Sequence, residues 1–510
     1  GPVVPRYDGA LYTEKPPVAF WGMVACSLPA GQVTSFSARL AGVLFGIGIL
    51  LFVFAIGRRL WDARTGMLAA LVLLSFPQFL AHMTLARLDM PLAFFMTGAI
   101  LAGLRRIQDP GAGMSSALAL GACLGFGILV KGPVAIALPL GTLALWRIGA
   151  GDFHSLRRLF PPAGALAALA IPAAWGLLAL AQLGSAEWKA YMEAILGRAA
   201  RGAQNYPRPA TYYLQEIGRY ALPFLIFLPA ALSGWVARRT DRSDPSLLPL
   251  VWFAAQFLAF SAVSGKRGGY LLPALPGLAL LIAGALSPAS RLPEAAARWL
   301  RDFPLRAFGL ALFAAGPCIA FWVFWNAEGG ALHPAGFPLG GIAAAAIAAV
   351  PLAAVAIRRR IAAVGPVAAA PMIALAAASL LSLSVAADRA KSIGHETDRG
   401  LSALADAAPP GRPLWIYTRF DREKERVRFD PTALRFHLRR PLRAFRTLDD
   451  LDGSLRKLPA AGPGARAPVV FADLPGWREI RKRLGRGARI LRGAPSSDGY
   501  VFALETAPGE

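Results

Sequence analysis

The first candidate for chemistry is the stretch EKPP at residues 14–17, which stands just ahead of a long apolar region. The Lys15 ammonium is a point charge that suits a phosphate, and the neighbouring Glu14 carboxylate suits a cation or a proton. The preceding Asp-Gly pair at residues 8–9 is a turn signal between short extended pieces, and the prolines restrict the backbone. We therefore predict that both side chains are held in a site, although an ordinary surface ion pair would show the same pattern.

Three further charged motifs stand at the ends of apolar segments. They are LARLDM with Arg87 and Asp89, LVKGP with Lys131, and SGKRGGYLLPALP with Lys266, Arg267 and Tyr270. Charged groups at the edge of a bilayer are costly unless they are paired or functional. A salt bridge that closes a helical hairpin, or a lysine whose stem lies along the interface, would explain two of these motifs without a site. The backbone amides of a glycine turn such as the third can cradle an anion.

A longer polar segment covers residues 184–219. Glu193, Arg198 and Arg201 share a helix face there, at spacings close to i, i+4 and i+7. Tyr206, Tyr212 and Tyr213 fit an aromatic belt at a membrane interface. The pattern predicts an amphipathic helix that lies on the membrane and is followed by a loop.

The composition shows what kind of protein must position these residues. Of 510 residues, 55% are hydrophobic and 16% are charged, and the mean hydropathy is +0.48. Soluble proteins average about 25% charged residues, so this chain is predicted to be a polytopic membrane protein. The net charge of +24 comes mostly from Arg in short loops, which argues against a nucleic-acid partner. The three cysteines lie far apart and form no metal-binding spacing.

Apolar runs predict about twelve transmembrane helices and a small α/β domain at the carboxyl end. The predicted spans are 35–57, 66–82, 88–104, 115–130, 132–148, 161–183, 220–237, 247–264, 270–287, 305–325, 338–357 and 364–386. Residues 1–387 would form the membrane domain, and residues 388–510 the α/β domain. In the tail, PLWIYTRF, APVVFADL and YVFALE read as buried strands, and PGWREIRKRLG as an amphipathic helix.

Every second loop is rich in arginine, which predicts that these loops are cytoplasmic. The Arg-rich loops follow the first, third, fifth, seventh, ninth and eleventh spans, beginning with Arg58, Arg59 and Arg64. Residues 1–34, residues 184–219 and the tail would then lie outside the cytoplasm. A chain that starts outside needs a segment to carry it there, so we expect a preceding transmembrane helix that the sequence does not include.

The outward loops should be poor in positive charge, yet five of them bring Lys or Arg to the same side of the bilayer. This coincidence predicts one anionic site. A lipid phosphate with its tail in the bilayer fits such a place better than a soluble anion. Stabilising a phosphate leaving group is the electrostatic work that such a site would perform.

Four motifs resemble one family. YDGALYTEKPPVAFW, ARLDMPLAFFMTG, GILVKGPVAIALP and FSAVSGKRGGYLLPALPGLALL are similar, in the same order, to those of bacterial lipid A aminoarabinose transferases and related protein mannosyltransferase-like enzymes. These are C-type membrane glycosyltransferases. The resemblance runs from residue 1 to about residue 290 and implies thirteen transmembrane helices with an α/β domain outside the cytoplasm, in the inner membrane of a bacterium.

The resemblance also implies site residues and a reaction. A sugar would pass from a polyprenyl-phosphate donor to a lipid or protein acceptor, with a divalent metal near Glu14. Lys15, Lys266, Arg267 and Tyr270 would bind the donor phosphate. The residues that would shape the site are Tyr12, Arg87, Asp89, Lys131, Glu193 and Arg198.

Two departures from the family pattern matter. The family's catalytic Asp belongs to an Asp-Glu pair upstream of residue 1, so the general base is not in this sequence, and Asp8 does not replace it. The family's His-rich motif in the long outward loop also has no counterpart, because that region reads AYMEAILGRAARG. The departure weakens the metal assignment and aminoarabinose as the sugar.

A glycosyltransferase is the first hypothesis, and a transporter or flippase of an anionic lipid is the alternative. A transporter would also use many spans and cations at membrane level. Transporters often carry internal repeats and broken helices at the midplane, whereas this sequence shows no repeat and gathers its unusual charges at one face.

Overall fold

The fold is taken from a computed structural model of the chain. It describes residues 3–7, 10–12, 15–201, 207–221, 224–229, 231–233, 244 and 247–287, and in the tail 414–417, 420–421, 426–427, 442–445, 451, 469–473, 480, 482, 488–496 and 499–506. The helices belong to one compact unit and the strands from residue 414 onwards to another.

Eleven α-helices are described in the first unit. They are α1 Val18–Ser27, α2 Ser35–Leu60, α3 Ala63–Leu74, α4 Pro77–Met83, α5 Asp89–Gln108, α6 Met114–Lys131, α7 Val134–Gly149, α8 Pro162–Arg201, α9 Tyr212–Ala221, α10 Leu247–Ala262 and α11 Leu275–Leu286. Short 3-10 helices cover Leu28–Ala30, His154–Leu159, Phe224–Phe227 and Gly268–Ala274.

In this described part, five helices are long and apolar enough to cross a membrane, or six if one bent pair counts as a single span. Large apolar side chains on α2 and α8 are exposed, as expected where a helix faces lipid. The prediction of a polytopic membrane protein is confirmed. The predicted spans 305–325, 338–357 and 364–386 lie outside the described residues, and 220–237 does so in part.

The bent pair is α3 and α4, which meet at an angle of 74° where the sequence predicts one continuous span. Pro77 is the first residue of α4. Proline lacks a backbone N–H and cannot continue a preceding helix, but it is well suited to begin one. The bend leaves α4 as a separate short helix that ends just before the LARLDM motif.

The helix α8 turns at Gly184, whose positive φ of 76° is a conformation that glycine adopts readily. Trp175 packs edge-on against Trp188, with ring centroids 5.7 Å apart. The two tryptophans are thirteen residues apart, and a straight helix of that length would span about 20 Å. The part of α8 after Gly184 therefore folds back on the part before it. A helix therefore exists where the surface helix was predicted, joined to the preceding part of α8 by this turn; that it lies on the membrane stays a prediction.

The first residues also hold more structure than a loop. Arg6–Tyr7 and Ala10–Leu11 are paired strands, as the Asp-Gly turn signal predicts. The apolar helix α1 follows directly after the EKPP stretch. The predicted helices do not include it. Pro17 immediately precedes α1, so the prolines also start a helix.

The Arg-rich loops meet at one end of the helices. Arg59, in the last turn of α2, forms an ion pair at 2.8 Å with Asp109, the residue after α5. Arg106 Nε donates to the Arg158 carbonyl at 2.7 Å, and Arg158 Nη1 donates to the Ile107 carbonyl at 2.8 Å. Three loops that the charge pattern assigns to one side of the membrane are thus joined in space.

The second unit contains a five-stranded sheet in the order β6-β3-β7-β9-β8. Its strands are β3 Leu414–Tyr417, β6 Leu442–Phe445, β7 Val469–Asp473, β8 Ala488–Ser496 and β9 Gly499–Thr506, and two short strands, β4 Phe420–Asp421 and β5 Arg426–Val427, pair separately. β3 is parallel to β6 and β7, while β9 is antiparallel to β7 and β8. The three strands predicted from sequence coincide with β3, β7 and β9.

Candidate functional site

Three of the residues singled out in the sequence meet at the end of the helices opposite to the arginine loops. Asp89 is the first residue of α5, and Lys131 is the last residue of α6. Lys131 Nζ lies 3.2 Å from Asp89 Oδ1 and 3.8 Å from the centroid of the Tyr270 ring. Carboxylates are favoured at helix N-termini and ammonium groups at C-termini, so two antiparallel helices bring this pair together. An ammonium over an aromatic face adds a cation–π interaction.

This ion pair is largely removed from water. The side chains of Lys131 and Asp89 keep only 18% and 15% of their exposure. A charge in such surroundings is stable only with a partner, and loss of one partner leaves the other charge uncompensated. The pair is therefore a fixed feature of the fold, unlike a solvated salt bridge.

Further cations surround the pair. Lys15 and Arg267 both act electrostatically on Lys131, and Arg87 acts on Asp89. Lys15 is half-buried, whereas Arg87 and Arg267 are exposed. The described members of this cluster thus carry four cations against the single Asp89 carboxylate, and the surplus of positive charge suits an anion of more than one charge, such as a phosphate.

Lys266 and Arg267 take different positions in the glycine turn. Lys266 is only 3% exposed, and its ammonium donates to the carbonyls of Arg208, at 3.2 Å, and Val263. Arg208 N–H in turn donates to the Ser264 carbonyl at 3.1 Å. Lys266 therefore ties the segment before α9 to the end of α10, while Arg267 directs its charge outwards.

Tyr213 is fully buried, and its hydroxyl donates to the Arg267 carbonyl at 3.0 Å. Its assignment to an aromatic belt at the membrane interface is therefore wrong. The amphipathic helix α9 turns this face towards the protein and fixes the backbone that carries Arg267. Tyr212 stays half-exposed, with the Arg208 guanidinium 5.4 Å from its ring centroid.

Two residues at the site were missed by the sequence analysis. His82, in the last turn of α4, is buried, and its Nδ1 lies 2.9 Å from the Gln78 carbonyl. A Cβ on Gly269 would lie 2.5 Å from Asp89 Oδ2 and 2.9 Å from His82 Nε2. The glycine is needed because the carboxylate and the imidazole both press on its backbone. A histidine inside an apolar run was the available signal.

The remaining predicted residues are placed as follows. Tyr12 packs edge-on against Phe20, with centroids 5.5 Å apart. Glu193 is exposed on the outer part of α8. The Arg198 backbone belongs to the same helix, but its side chain and the whole of Glu14 lie outside the described residues. The roles of these residues stay predictions.

A metal would need several oxygen, nitrogen or sulfur ligands in one place. In the described ranges, no group of three or more His, Cys, Asp or Glu could hold an ion. These residues alone do not fit a metal centre, so we derive no chemical step through a metal.

Comparisons with known proteins show what the chain is similar to. Residues 14–177 match the family described as dolichyl-phosphate-mannose-protein mannosyltransferase. Relatives named undecaprenyl phosphate-alpha-4-amino-4-deoxy-L-arabinose arabinosyl transferase include one from Pseudomonas aeruginosa, 31% identical over 325 residues, which are 61% of this chain and 56% of the relative. Another, from Edwardsiella ictaluri, is 32% identical over 288 residues, covering 55% of this chain and 51% of the relative. The chain thus spans about half the length of the curated relatives that it matches.

The fold is also similar to that of a solved structure. The crystal structure of ArnT from Cupriavidus metallidurans bound to undecaprenyl phosphate superposes with a TM-score of 0.75 at 22% sequence identity, covering 99% of this chain and 91% of that one. The apo crystal structure of the same ArnT gives a TM-score of 0.74. The sequence matches show that the chain is similar to the aminoarabinose transferases and, over residues 14–177, to the dolichyl-phosphate-mannose-protein mannosyltransferase family, and it shares the fold of the solved ArnT structure.

Proposed function

We propose that the protein transfers a sugar from a polyprenyl-phosphate donor to a lipid or protein acceptor at the extracytoplasmic face of a bacterial inner membrane. The observation that carries the proposal is the partly buried Asp89–Lys131 pair beside the Tyr270 ring, with Lys15, Arg87 and Arg267 around it. Such a surplus of cations at the membrane edge fits the phosphate of a lipid whose tail stays in the bilayer.

The relatives support this donor. Their name describes an arabinosyl transferase of undecaprenyl phosphate-alpha-4-amino-4-deoxy-L-arabinose, and the similar ArnT crystal structure is bound to undecaprenyl phosphate. The sugar remains open for this chain because the His-rich family motif has no counterpart in its outward loop. The acceptor is a lipid A-like glycolipid or a protein.

The proposed reaction breaks the bond between the anomeric carbon and the phosphate oxygen of the donor. An acceptor hydroxyl attacks that carbon, loses its proton to a base, and the polyprenyl phosphate leaves with the electron pair. Lys15 and Arg267 stabilise the charge on the leaving phosphate. Asp89 is not assigned as the base, because its carboxylate is the partner of Lys131; it keeps the Lys131 ammonium in position over Tyr270.

The proposal includes the orientation of the chain. The arginine loops joined by Arg59–Asp109 and Arg106–Arg158 would be cytoplasmic, and the site would open on the other side. The full protein would have thirteen transmembrane helices, and the tail would be an extracytoplasmic α/β domain. A divalent metal near Glu14 remains part of the proposal, and chelation followed by the return of individual metals would test it.

The decisive experiment reconstitutes the full-length protein in vesicles with an undecaprenyl-phosphate-linked sugar and a lipid A acceptor. We expect the labelled sugar to appear on the acceptor, and the Lys131→Ala variant to lose this transfer. Arg64→Ala, in the first turn of α3 at the arginine end, is the control for an arginine outside the site. Movement of labelled lipid across the vesicle without transfer would instead support a transporter.

A further inference from the structure

His82 lies on the other side of Asp89 from Lys131. Lys131 contacts Asp89 Oδ1, whereas Asp89 Oδ2 and His82 Nε2 both lie within 3 Å of the point where Gly269 would carry a Cβ. The carboxylate is therefore bracketed by an ammonium on α6 and an imidazole on α4. Both partners act electrostatically on Asp89.

The hydrogen bond at the other ring nitrogen defines the chemistry of this imidazole. His82 Nδ1 lies 2.9 Å from the Gln78 carbonyl, which can only accept, so Nδ1 carries a proton. In the singly protonated ring Nε2 would then present a lone pair towards the carboxylate side. In the doubly protonated ring it presents an N–H, and the ring becomes a second cation beside Asp89.

We propose that His82 is a positioning residue that holds Asp89 through an Nε2–H in its doubly protonated form, and thereby keeps Lys131 available to the donor phosphate. With Oδ2 held towards His82, Asp89 offers Oδ1 to Lys131, and the Lys131 ammonium stays over Tyr270. Without the hydrogen bond from His82, the Asp89 carboxylate can rotate and direct both of its oxygens to Lys131. This rotation lowers the positive electrostatic potential at the site. The ligand in this proposal rests on the proposed function, whereas the nearness of His82 to Asp89 does not.

The ionisable groups around His82 determine which other titrations could contribute to a pH dependence at this site. Among the described residues, the charged groups at this end of the elements packed against α4, or next to them, are Arg39, Arg87, Asp89, Lys131, Glu216 and Arg267, and the phenols are Tyr212, Tyr213, Tyr220 and Tyr270. Carboxylates ordinarily titrate near pH 4, and Tyr, Lys and Arg at about pH 10 or above. Histidine is the side chain that ordinarily titrates between about pH 5 and 8. A phosphate monoester also titrates near pH 6, but its contribution is the same for every variant.

The test compares four proteins in detergent at pH 5.5 to 8.5: the wild type, His82→Gln, His82→Leu and His154→Gln. Glutamine places an amide N–H near the position of Nε2 at every pH, and leucine removes the donor. His154 is an exposed histidine in the 3-10 helix at the arginine end, so His154→Gln is the matched control. The readouts are the dissociation constant for undecaprenyl phosphate and the melting temperature without ligand.

The wild type and His154→Gln should lose about tenfold more affinity than His82→Gln as the pH rises through this window, because a charge-assisted hydrogen bond is lost. His82→Leu should bind about tenfold more weakly at the lowest pH and respond like His82→Gln to pH. The melting temperatures should show the same order of pH dependence. If His82→Leu does not fold, the comparison of wild type with His82→Gln still tests whether His82 positions Asp89.

Two results have separate meanings. If the wild type does not bind undecaprenyl phosphate at any pH, the proposed donor is wrong, but the melting temperatures still test the contact with Asp89. If the wild type and His82→Gln show the same pH dependence in melting temperature and in affinity, His82 is not a positioning residue in the charged form, and the inference is overturned.

Discussion

The two ends of the helical unit place their cationic side chains in different surroundings. At the site end, the Lys131 ammonium pairs with Asp89 and lies against the Tyr270 ring, and the buried Lys266 ammonium donates to carbonyl oxygens. At the arginine end, Arg58, Arg64, Arg105 and Arg157 are exposed, the Arg59–Asp109 pair retains 29% and 49% of its side-chain exposure, and Arg147, paired with Asp152, retains 13%. The comparison teaches that neither charge nor burial alone separates a site from an orientation signal, and that the partners of each cation must be known.

The two ends lie on opposite sides of the hydrocarbon core. α5 begins at Asp89 and ends at Gln108, twenty residues later, and such a helix is about 30 Å long. This length matches the thickness of a bilayer core. A substitution at one end can therefore be compared with one at the other in the same protein, without direct contact between them.

The largest effect is expected at the partly buried Asp89–Lys131 pair. Lys131→Ala leaves Asp89 without its ammonium partner and should reduce sugar transfer at least about a hundredfold, together with about 3 kcal/mol of stability. Transfer assays and unfolding in detergent measure the two effects. The double variant Asp89→Ala/Lys131→Ala should recover part of the stability but none of the transfer. Full activity in Lys131→Ala would remove the distinction between the two ends.

A second comparison separates the neighbours in the glycine turn. Arg267→Ala should weaken donor binding about tenfold with little change in melting temperature, because an exposed charge-assisted contact is lost. Lys266→Met should lower the melting temperature, because the carbonyls of Arg208 and Val263 lose their donor. Binding and thermal unfolding measured on both variants check this, and the opposite pattern would reverse the two roles.

A third, smaller effect concerns Tyr213. Tyr213→Phe removes the hydrogen bond to the Arg267 carbonyl and should cost about 1 kcal/mol. Burial raises the pKa of the Tyr213 phenol, so its neutral form is favoured in the folded protein. Its contribution to stability is therefore constant at neutral pH and is lost only above the ordinary tyrosine range, near pH 10. Unfolding of wild type and variant at pH 7 and pH 10.5 should show the difference narrowing.

The smallest effect is expected at the arginine end. Asp109→Asn removes the exposed pair with Arg59 and should change stability by less than about 1 kcal/mol, with transfer unaffected. The hydrogen bond from Arg59 lowers the pKa of the Asp109 carboxyl, so the pair persists at neutral pH and is lost only in acid. Unfolding at low and high salt measures this change. A large loss of transfer in Asp109→Asn would mean that the two ends are coupled.

The grouping of the charged motifs could be predicted before the fold was known. The cost of charges at a membrane edge predicts that Lys15, Lys131 and Arg267 share a site with Asp89, and the family resemblance adds Tyr270; the structure places these residues near Lys131. The distinction between Lys266 and Arg267 could not be predicted, because adjacent residues in a turn point to different partners. Tyr213 was misassigned because a tyrosine near a membrane end can face either the interface or the protein.

The sequence by itself determined that the chain enters a membrane and which loops lie on the same side of it. It also showed which polar residues stand where an unpaired charge would be energetically costly. These follow from hydropathy and charge, which act over single segments. Only the tertiary structure decided that His82 and Gly269 meet Asp89, and that a buried Lys266 supports an exposed Arg267. Those contacts join α4, α5, α6 and the turn after α10. The periodicity of one segment carries no information about the distance between two other segments.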